Sequence, residues 1–584
     1  MCGIIGYAGD GNAAWVLIEG LRRLEYRGYD SAGAAVVADG HLEVVKRAGR
    51  VDAIAPAVSS LRGRVGIAHT RWATHGKVTD SNAHPHLSCD GRLAIVHNGI
   101  IENHAELRSE LEARGHRFRS ETDSEVIAHL LEEALEDAAD PLEAALRVAG
   151  RLRGSFAVLA AGPALGNALL AIRKDSPLVL GFADGSVYAS SDVYGFIEWT
   201  DSAYFMENGS VALLRPGEVR AALLDGTPIE VRPVKVAFEM AATEATEYVH
   251  HTLREIMEQP EAIARALAPR DEIDAAAREI GRAGRLFAVG AGTSYHAAVV
   301  ARYAFAEVAG VDLQPILASE HQLFSRWMGP GSLVMAISQS GETADVLEAV
   351  REARARGARV LAVVNVPHST LERESDLSVS VRAGPEVGVA ATKSFTAQLA
   401  TLFSMALRVA GRPGLDPERI RRLAAGALRT EEVVRRAAGE LKDSADVYVV
   451  GRGIHYPIAL EGALKIKELA YVHAEGLAAG ELKHGTLAMV EEGTPVVLIN
   501  PADETHTATL SNGEEMKARG ARILGISERR EDLYDVHVKL PDASGLELPI
   551  VEVIPLQLLA YYLALFRGAE IDRPRNLAKS VTVK

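Results

Sequence analysis

The sequence predicts a layered α+β domain followed by two α/β doubly wound domains. The chain has 584 residues, too many for a single hydrophobic core, so about two to four domains are expected. Residues 1–235 combine short strands, turn signals and two helical stretches. From about residue 280 onward strands and helices alternate, which is typical of a parallel sheet covered by helices.

The first domain, residues 1–235, is predicted from two kinds of hydrophobic pattern. The apolar segments CGIIGYAG and RLAIVHNG indicate buried strands, whereas AAWVLIEGLRRLEYRG and DSEVIAHLLEEALED have the spacing of amphipathic helices. Asp123 stands where it could cap the second of these helices. Strands and helices of these types predict stacked layers.

The remaining chain divides into a linker, two copies of one unit and a tail. We interpret residues 236–279 as a linker and docking helix, because EMAATEATEYVHHTLREIMEQPEAI is charged and favours a helix that ends at Pro260. The copies span residues 280–415 and 440–567, since RLFAVGAGTSYHAAVV resembles DVYVVGRGIHYPIAL and ARGARVLAV resembles ARGARILGI. Residues 568–584 form the C-terminal tail.

The composition restricts the partners and the compartment. A formal net charge of −15 argues against a nucleic-acid partner, because that affinity comes largely from Lys and Arg. The two cysteines, Cys2 and Cys89, exclude a disulfide framework and supply no CxxC pair for zinc. The N-terminus lacks the basic and apolar regions of a signal peptide, and no long uninterrupted apolar stretch is present. We expect a cytoplasmic protein with no membrane partner.

Cys2 is a candidate nucleophile that would carry its own base. Removal of Met1 would leave a free α-amine beside the thiol. The reference pKa of an α-amine is about 8 and that of a thiol about 8.5, so the amine can take the thiol proton at neutral pH. A cysteine at position 2 is, by itself, more often without function.

The segments EYRGYDSAG, HTRWATHG, VHNGIIEN and SETDSEV supply what a carboxamide substrate needs. Arg71 can bind an α-carboxylate and Asp123 an α-ammonium. The Asn98 side chain and the Gly99 amide can stabilise the oxyanion that forms on attack. Each segment alone has a structural interpretation: a turn at HNG, packing by the Arg-Trp pair, or a helix cap at Asp123.

Taken together, CGIIGY, YRGYDSAG, HTRWATHG, HPH, VHNGIIEN and ETDSE resemble the class II glutamine amidotransferase domain, an N-terminal nucleophile hydrolase fold. The resemblance implies a glutamyl thioester on Cys2 and makes Cys89 an inert structural thiol. It treats His84 and His86, an alternative metal pair, as site scaffolding. The implied roles are catalysis by Cys2, Asn98 and Gly99, glutamine binding by Arg71, Thr74, His75 and Asp123, support by Arg27 and an ammonia gate at Trp72.

A phosphate-binding segment is predicted in the first copy of the doubly wound unit. ISQSGETADVL places Ser338, Gln339, Ser340 and Thr343 between an apolar strand and a helix, and a helix N-terminus attracts anions. An N-cap box with surplus serines is the alternative. The segment has neither a Walker lysine nor a GxGxxG fingerprint, so a nucleotide is not favoured.

The second copy and the tail carry candidates for acid–base and imine chemistry. Lys465 and Glu468 lie one helical turn apart, His484 follows in GELKHG, and Lys579 lies in the tail segment NLAKSVTV. The alternatives are a solvent-exposed Lys/Glu pair and a disordered tail lysine.

These segments resemble tandem sugar isomerase domains, and the whole chain resembles the glutamine–fructose-6-phosphate aminotransferase (isomerizing) family. GTSY, SQSGET, GVAATKSFTAQL, GELKHG and RPRNLAKSVTV carry the resemblance. It implies a Schiff base on Lys579, ring opening by His484, and proton movement between C1 and C2 by Glu468 with help from Lys465. The implied sugar-phosphate contacts are Thr293, Ser338, Gln339, Ser340, Thr343, Val389 and Ala578.

The implied reaction converts L-glutamine and D-fructose 6-phosphate into L-glutamate and D-glucosamine 6-phosphate, the first step of hexosamine and UDP-N-acetylglucosamine synthesis. It needs no metal or organic cofactor, and the family implies a homodimer through the isomerase domains. Two alternatives stay open. One is an amidotransferase with a different sugar-phosphate acceptor, and the other is a non-enzymatic regulator that binds a sugar phosphate.

Overall fold

The computed structural model describes residues 2–73, 75–236 and 248–582. Residues 2–73, 75–236 and 580–582 belong to one compact unit, and residues 248–579 form a second. Thr74 and most of the predicted linker segment, residues 237–247, lie outside the described residues.

The first unit contains two antiparallel sheets and five α-helices among its described residues. The strands are β1 (Gly3–Gly9), β2 (Ser31–Ala38), β3 (His41–Ala48), β4 (Val65–Arg71), β5 (His86–Leu87), β6 (Ala94–Ile101), β7 (Gly154–Ala161), β8 (Leu169–Lys174), β9 (Val179–Ala183), β10 (Ser186–Ser190), β11 (Ser202–Phe205), β12 (Ser210–Arg215), β13 (Glu218–Leu223), β14 (Pro228–Ile229) and β15 (Val234–Lys235). The helices are α1 (Ala13–Leu24), α2 (Ala55–Ser59), α3 (His104–Ala113), α4 (Glu125–Asp137) and α5 (Pro141–Arg151).

The two sheets form the inner layers of a four-layer arrangement. Their strand orders are β15-β11-β9-β10-β1-β4-β2-β3 and β14-β13-β12-β8-β7-β6-β5. Apolar side chains of both sheets, among them Ile4, Val96 and Leu159, share one core cluster. Helices α1 and α2 pack on the first sheet, and α3, α4 and α5 pack on the second. The predicted layered α+β class is confirmed.

This layering places the ends of three strands around the N-terminal cysteine. Strand β1 begins at Gly3, directly after Cys2, and pairs antiparallel with β4 so that Gly3 lies opposite Thr70. The next residue of β4, Arg71, therefore lies beside Cys2. Strand β6 of the other sheet carries Asn98 and Gly99.

The second unit contains two parallel sheets and thirteen α-helices among its described residues. The strands are β16 (Arg285–Gly290), β17 (Leu313–Leu317), β18 (Ser332–Ser338), β19 (Arg359–Val364), β20 (Leu377–Ser380), β21 (Asp446–Gly451), β22 (His473–Ala478), β23 (Pro495–Ile499), β24 (Arg522–Ser527) and β25 (Val536–Lys539). The helices are α6 (His251–Met257), α7 (Gln259–Leu267), α8 (Asp271–Arg282), α9 (Thr293–Ala309), α10 (His321–Phe324), α11 (Ala344–Ala355), α12 (Thr370–Arg373), α13 (Lys393–Val409), α14 (Pro417–Leu428), α15 (Glu431–Leu441), α16 (His455–Ala470), α17 (His506–Lys517) and α18 (Leu548–Phe566).

The internal repeat is visible in the sheets. Their strand orders are β17-β16-β18-β19-β20 and β22-β21-β23-β24-β25, and both are the order 2-1-3-4-5 of a doubly wound fold. In such sheets ligands bind beyond the carboxyl ends of the strands, where the order reverses. In the first sheet this point lies between β16 and β18, which end at Gly290 and Ser338.

Pro260 and helix α18 differ from what their local sequence suggests. Pro260 does not end a helix but lies in the first turn of α7, where its missing N–H costs no hydrogen bond. Helix α18 lies in the segment Gly545–Phe566, which is long and apolar enough to cross a membrane. In its most apolar window, however, 94% of the residues are buried inside the protein. That burial is typical of a core helix.

Candidate active sites

The Cys2 thiol lies at the end of β1, held by the backbone that follows β4. The Trp72 amide donates to Sγ at 3.2 Å, and the Trp72 carbonyl oxygen lies 3.5 Å from Sγ. Burial raises the pKa of the Cys2 thiol, although the Trp72 hydrogen bond and the Arg71 charge offset part of this effect. The thiol therefore needs a base to become a nucleophile.

Asn98 contacts Cys2, and Gly99 follows it on β6. Nδ2 of Asn98 donates to the Cys2 carbonyl oxygen at 2.9 Å. Gly99 has a φ of 124°, and a Cβ there would lie 1.9 Å from the Ser155 carbonyl oxygen, so no other residue fits. This arrangement suits an oxyanion hole at the edge of β6.

His69 holds the Asn98 amide in its orientation, a role that sequence reasoning missed. Nε2 of His69 lies 3.0 Å from the His97 carbonyl oxygen and 3.1 Å from Oδ1 of Asn98. Burial lowers the pKa of His69 to about 3, so the ring is neutral and its Nε2–H donates to both acceptors. His69 opens the HTRWATHG segment, two residues before Arg71 on the same face of β4.

Arg71 and Asp123 occupy the surroundings of Cys2, where their charges act in opposite directions on its pKa. The Arg71 guanidinium donates to the carbonyl oxygens of His75, Gly76 and Lys77 and so orders the loop that follows β4. Oδ2 of Asp123 accepts the Ile101 amide at 2.8 Å. The N-cap of α4 is Ser124, so the interpretation of Asp123 as a helix cap is wrong.

Other predicted residues of this unit support the site. Arg27 is buried, donates to the Cys2 carbonyl oxygen at 3.4 Å and pairs with Asp192 at 3.2 Å. The Trp72 ring packs edge-on against Tyr29. His84 and His86 are buried neighbours, and burial lowers the pKa of both well below the usual value.

In the second unit, Lys465 is fully buried among two carboxylates and a hydroxyl. Its Nζ lies 2.6 Å from Glu468 and 3.3 Å from Glu461, and it donates to Thr293 at 3.0 Å. Burial alone would lower the pKa of Lys465, but the two carboxylates outweigh it and raise the pKa. Lys465 is therefore an ammonium that orients Glu468, and its interpretation as a solvent-exposed ion-pair residue is wrong.

Glu461 links Lys465 to the start of α9, the helix that follows β16. Its two carboxylate oxygens bind Thr293 at 3.0 Å and His296 at 2.8 Å. Sequence reasoning missed this buried residue, although it lies one turn before Lys465 on α16. Thr293 opens α9 directly after β16, so the network reaches the point where the strand order reverses.

Lys579 is buried and bound to a second carboxylate that sequence reasoning also missed. Its Nζ lies 2.5 Å from Glu386, and only 5% of the lysine side chain is exposed. Glu386 also accepts the amides of Thr392 and Ser394 at 2.9 and 3.0 Å. Burial opposes ionisation of Glu386, but Lys579 and these hydrogen bonds outweigh it and lower its pKa to about 2. The tail lysine is ordered and forms a buried ion pair with Glu386.

The predicted phosphate segment lies between β18, the central strand of its sheet, and α11. The Ser338 hydroxyl lies 3.3 Å from that of Thr343 and accepts the Gly341 amide at 3.0 Å. Ser340 accepts the Glu342 amide at 3.2 Å. Thr343 is the N-cap of α11 but makes no capping hydrogen bond, so the first amides of α11 can bind an anion.

Val389, Ala578 and His484 are the remaining predicted residues of the sugar site. The Val389 amide donates to the Asp572 carbonyl oxygen at 3.0 Å, which ties its loop to the segment before Lys579. Ala578 is partly buried beside it in sequence. His484 is exposed at the end of a short 3-10 helix. Within the described residues it makes no hydrogen bond to Lys465, Glu468 or Lys579.

Comparisons with known proteins agree with this division of the chain. A glutamine amidotransferase domain model matches residues 69–197, and the SIS domain model matches residues 279–408 and 440–567. The chain is 46% identical to a glutamine–fructose-6-phosphate aminotransferase (isomerizing) of Thermococcus kodakarensis and 44% identical to one of Streptomyces coelicolor. Both alignments cover 100% of each chain.

A solved structure is similar to the second half. It is the C-terminal domain of glucosamine-fructose-6-phosphate aminotransferase from Francisella tularensis, with 36% identity and a TM-score of 0.52. The match covers 56% of this chain and 99% of that chain.

Proposed function

Because this chain belongs to the glutamine–fructose-6-phosphate aminotransferase (isomerizing) family, we propose that its first unit releases ammonia and its second unit places that ammonia on the sugar. The enzyme transfers the amide nitrogen of L-glutamine to D-fructose 6-phosphate and isomerises the product to D-glucosamine 6-phosphate. The observation that carries the division of labour is the presence of two reactive groups in one chain. They are the partly buried thiol of Cys2 and the buried side chain of Lys579 in the tail.

Glutamine hydrolysis begins at Cys2. After Met1 is removed, the α-amine takes the thiol proton, and the thiolate attacks the amide carbon of glutamine. The Asn98 side chain and the Gly99 amide stabilise the oxyanion, which collapses to a thioester and releases ammonia. Water then hydrolyses the thioester to glutamate. In this proposal Arg71 and Asp123 bind the α-carboxylate and the α-ammonium.

The loop after β4 has further parts in this proposal. Thr74 and His75 bind glutamine, and Trp72 gates the passage of ammonia. Support for Trp72 comes from its backbone, which contacts the Cys2 sulfur directly, so movement of this residue and access to the thiol are coupled.

Sugar chemistry takes place on Lys579. The phosphate is held by the hydroxyls and amides from Ser338 to Thr343 and by Thr293, while Val389 and Ala578 line the sugar. His484 assists ring opening. The free amine of Lys579 condenses with the C2 carbonyl and loses water, and ammonia displaces the lysine from the imine. Glu468, oriented by Lys465, then takes a proton from C1 and returns one to C2.

The whole reaction is tested by following the nitrogen atom. Incubation with amide-¹⁵N-labelled glutamine and fructose 6-phosphate should yield glutamate and hexosamine 6-phosphate in equal amounts, with the label on C2 of the sugar. Mass spectrometry of both products measures this. Glutamate released without any labelled amino sugar would show that the acceptor is a different molecule.

Replacing His69 with Phe should lower kcat for glutamine hydrolysis by about tenfold or more. The ring would still fill its place, but Oδ1 of Asn98 would lose its donor and Nδ2 would no longer be aimed at the oxyanion. The KM for glutamine should change little, because Arg71 and Asp123 bind the substrate. An unchanged kcat, or a rise in KM alone, would show that His69 does not position Asn98 for catalysis.

Replacing Ser338 and Thr343 together with Ala should weaken sugar-phosphate binding. Each lost hydrogen bond to a charged group costs about 1.5–3 kcal/mol, so the KM for fructose 6-phosphate should rise by at least about tenfold. Basal glutamine hydrolysis should be spared. Thr505, the corresponding residue of the second copy, supplies the matched control, since Thr505→Ala should leave that KM unchanged. Equal loss of both activities in the double variant would indicate unfolding instead.

Three broader statements complete the proposal. We expect a cytoplasmic enzyme without nucleic-acid or membrane partners. The net charge of −15 supports the absence of a nucleic-acid partner. We also expect a homodimer through the isomerase domains, because His484 is exposed and, in the part of the chain that the structure describes, makes no hydrogen bond to Lys465, Glu468 or Lys579. Light scattering coupled to size-exclusion chromatography measures the oligomeric state. A monomer with full synthase activity would contradict the dimer.

A further inference from the structure

A second cluster of reactive side chains lies in the first unit, apart from the residues that surround Cys2. Cys89, His116, His129 and Glu132 each offer one donor atom, and these four atoms all lie within 4.8 Å of one another. Cys89 follows β5, His116 lies in the loop after α3, and the other two lie one turn apart on α4. We propose that these four residues bind a zinc ion.

Four of the six separations among the donor atoms match those of a tetrahedral zinc site. Sγ of Cys89 lies 3.5 Å from Nδ1 of His116 and 3.6 Å from Nδ1 of His129. Oε2 of Glu132 lies 3.3 Å from each of the same two nitrogens. Zinc bonds of about 2.3 Å to sulfur and about 2.0–2.1 Å to nitrogen or oxygen separate tetrahedral donors by about 3.3–3.6 Å. These four separations are therefore compatible with an ion bound between the donor atoms, all of which lie within 4.8 Å of one another.

The outer atoms of both imidazoles face carboxylates, as in many zinc sites. Nε2 of His116 lies 3.0 Å from Glu133, and Nε2 of His129 lies 3.8 Å from Glu125. A proton on each Nε2 leaves the Nδ1 lone pair directed at the cluster centre, which is the tautomer that a metal ligand needs. The protein thus orients His116 from behind by a hydrogen bond, and a carboxylate lies behind His129 as well.

Backbone amides orient the other two ligands. The amides of Cys89 and Asp90 each donate to the Glu132 carboxylate at 3.0 Å. The Arg117 amide donates to Sγ of Cys89 at 3.4 Å.

The cluster has too few protons of its own to satisfy these atoms. With both imidazoles protonated at Nε2, two Nδ1 lone pairs converge on a single S–H group. One thiol proton cannot serve both acceptors. A divalent cation that displaces this proton binds all four atoms at once.

The donor types select the ion and its role. Thiolate and imidazole ligands favour zinc over magnesium or calcium, and four protein ligands complete a tetrahedron, as in structural zinc sites. Such an ion would join the segment after β5, the loop after α3, and helix α4, which directly follows Asp123 and Ser124. Cys89 is exposed and contacts two histidines, and in this proposal it is a metal ligand rather than an inert structural thiol.

Cobalt titration of the full-length protein, after dialysis against a chelator, tests the site. Wild type should bind one equivalent of Co²⁺ with the visible absorption of a tetrahedral ion and a thiolate-to-cobalt charge-transfer band. Zinc should displace the cobalt and raise the Tm. Cys89→Ser should abolish the charge-transfer band, and His129→Gln should weaken zinc binding by at least tenfold.

Cys2→Ala is the matched control, because it removes the other cysteine and leaves the cluster intact. The charge-transfer band should persist in this variant. A band that survives Cys89→Ser and disappears in Cys2→Ala would place the metal at the other thiol and overturn the proposal. Wild-type protein that shows no tetrahedral cobalt absorption at one equivalent would overturn it as well.

Discussion

Replacement of Cys2 with Ala is expected to abolish glutamine hydrolysis and glutamine-dependent synthesis together. The loss should be about 10⁴-fold or more, as when a catalytic nucleophile is removed from a hydrolase. The Asn98 and Gly99 donors would remain, but no group could form the thioester. Glutamate release, measured with and without fructose 6-phosphate, checks the result.

Binding of the sugar phosphate provides the control for this variant. Because the sugar-site residues lie in the second unit, Cys2→Ala protein should still bind fructose 6-phosphate with wild-type affinity. Protein that retains Met1 should be as inactive as the variant, since its Cys2 nitrogen lies in a peptide bond. If mass spectrometry finds Met1 on a preparation that hydrolyses glutamine normally, the α-amine is not the base.

Replacement of Lys579 with Arg is expected to remove synthase activity, by about 10³-fold or more, while some glutaminase activity remains. Arginine can keep the ion pair with Glu386 that holds this lysine, so the tail should retain its place. Arginine cannot lose its proton, however, and therefore cannot form an imine. Product formation and glutamate release, measured in parallel, separate the two effects.

Borohydride reduction identifies the imine directly. Added with fructose 6-phosphate, it should attach the sugar covalently to Lys579, and peptide mapping locates the labelled lysine. Lys465 is a poor alternative because Glu461 and Glu468 hold it as an ammonium. Label on Lys465, or full synthase activity in Lys579→Arg, would assign the Schiff base to another residue.

Glu386 changes the physical account of how Lys579 reacts. An uncharged amine, the form of Lys579 that can make an imine, is favoured by burial among apolar groups. The structure instead pairs Lys579 with a buried carboxylate whose pKa is lowered to about 2. Imine formation therefore requires that Lys579, in its ion pair with Glu386, lose its proton when the sugar binds.

The sequence by itself determined the fold class and the residue types of both sites. The order of strand, Gly-rich loop and helix can be recognised in the sequence without knowledge of tertiary contacts. The two doubly wound copies could therefore be predicted from local periodicity. The same holds for the run from Ser338 to Thr343, whose members are close in the chain, and for Gly99, which stands in a segment that matches a known domain.

Only the tertiary structure decided which charged and polar groups meet. Glu386 reaches Lys579, and His69 reaches Asn98, from strands or loops far away in the chain, and no local spacing encodes such a contact. Helix α16 is packed on several sides, so its periodicity could not show that Lys465 and Glu461 are buried. The four proposed zinc ligands come from three separate segments, and folding of those segments against α4 is what brings a thiol, two imidazoles and a carboxylate within bonding distance of one ion.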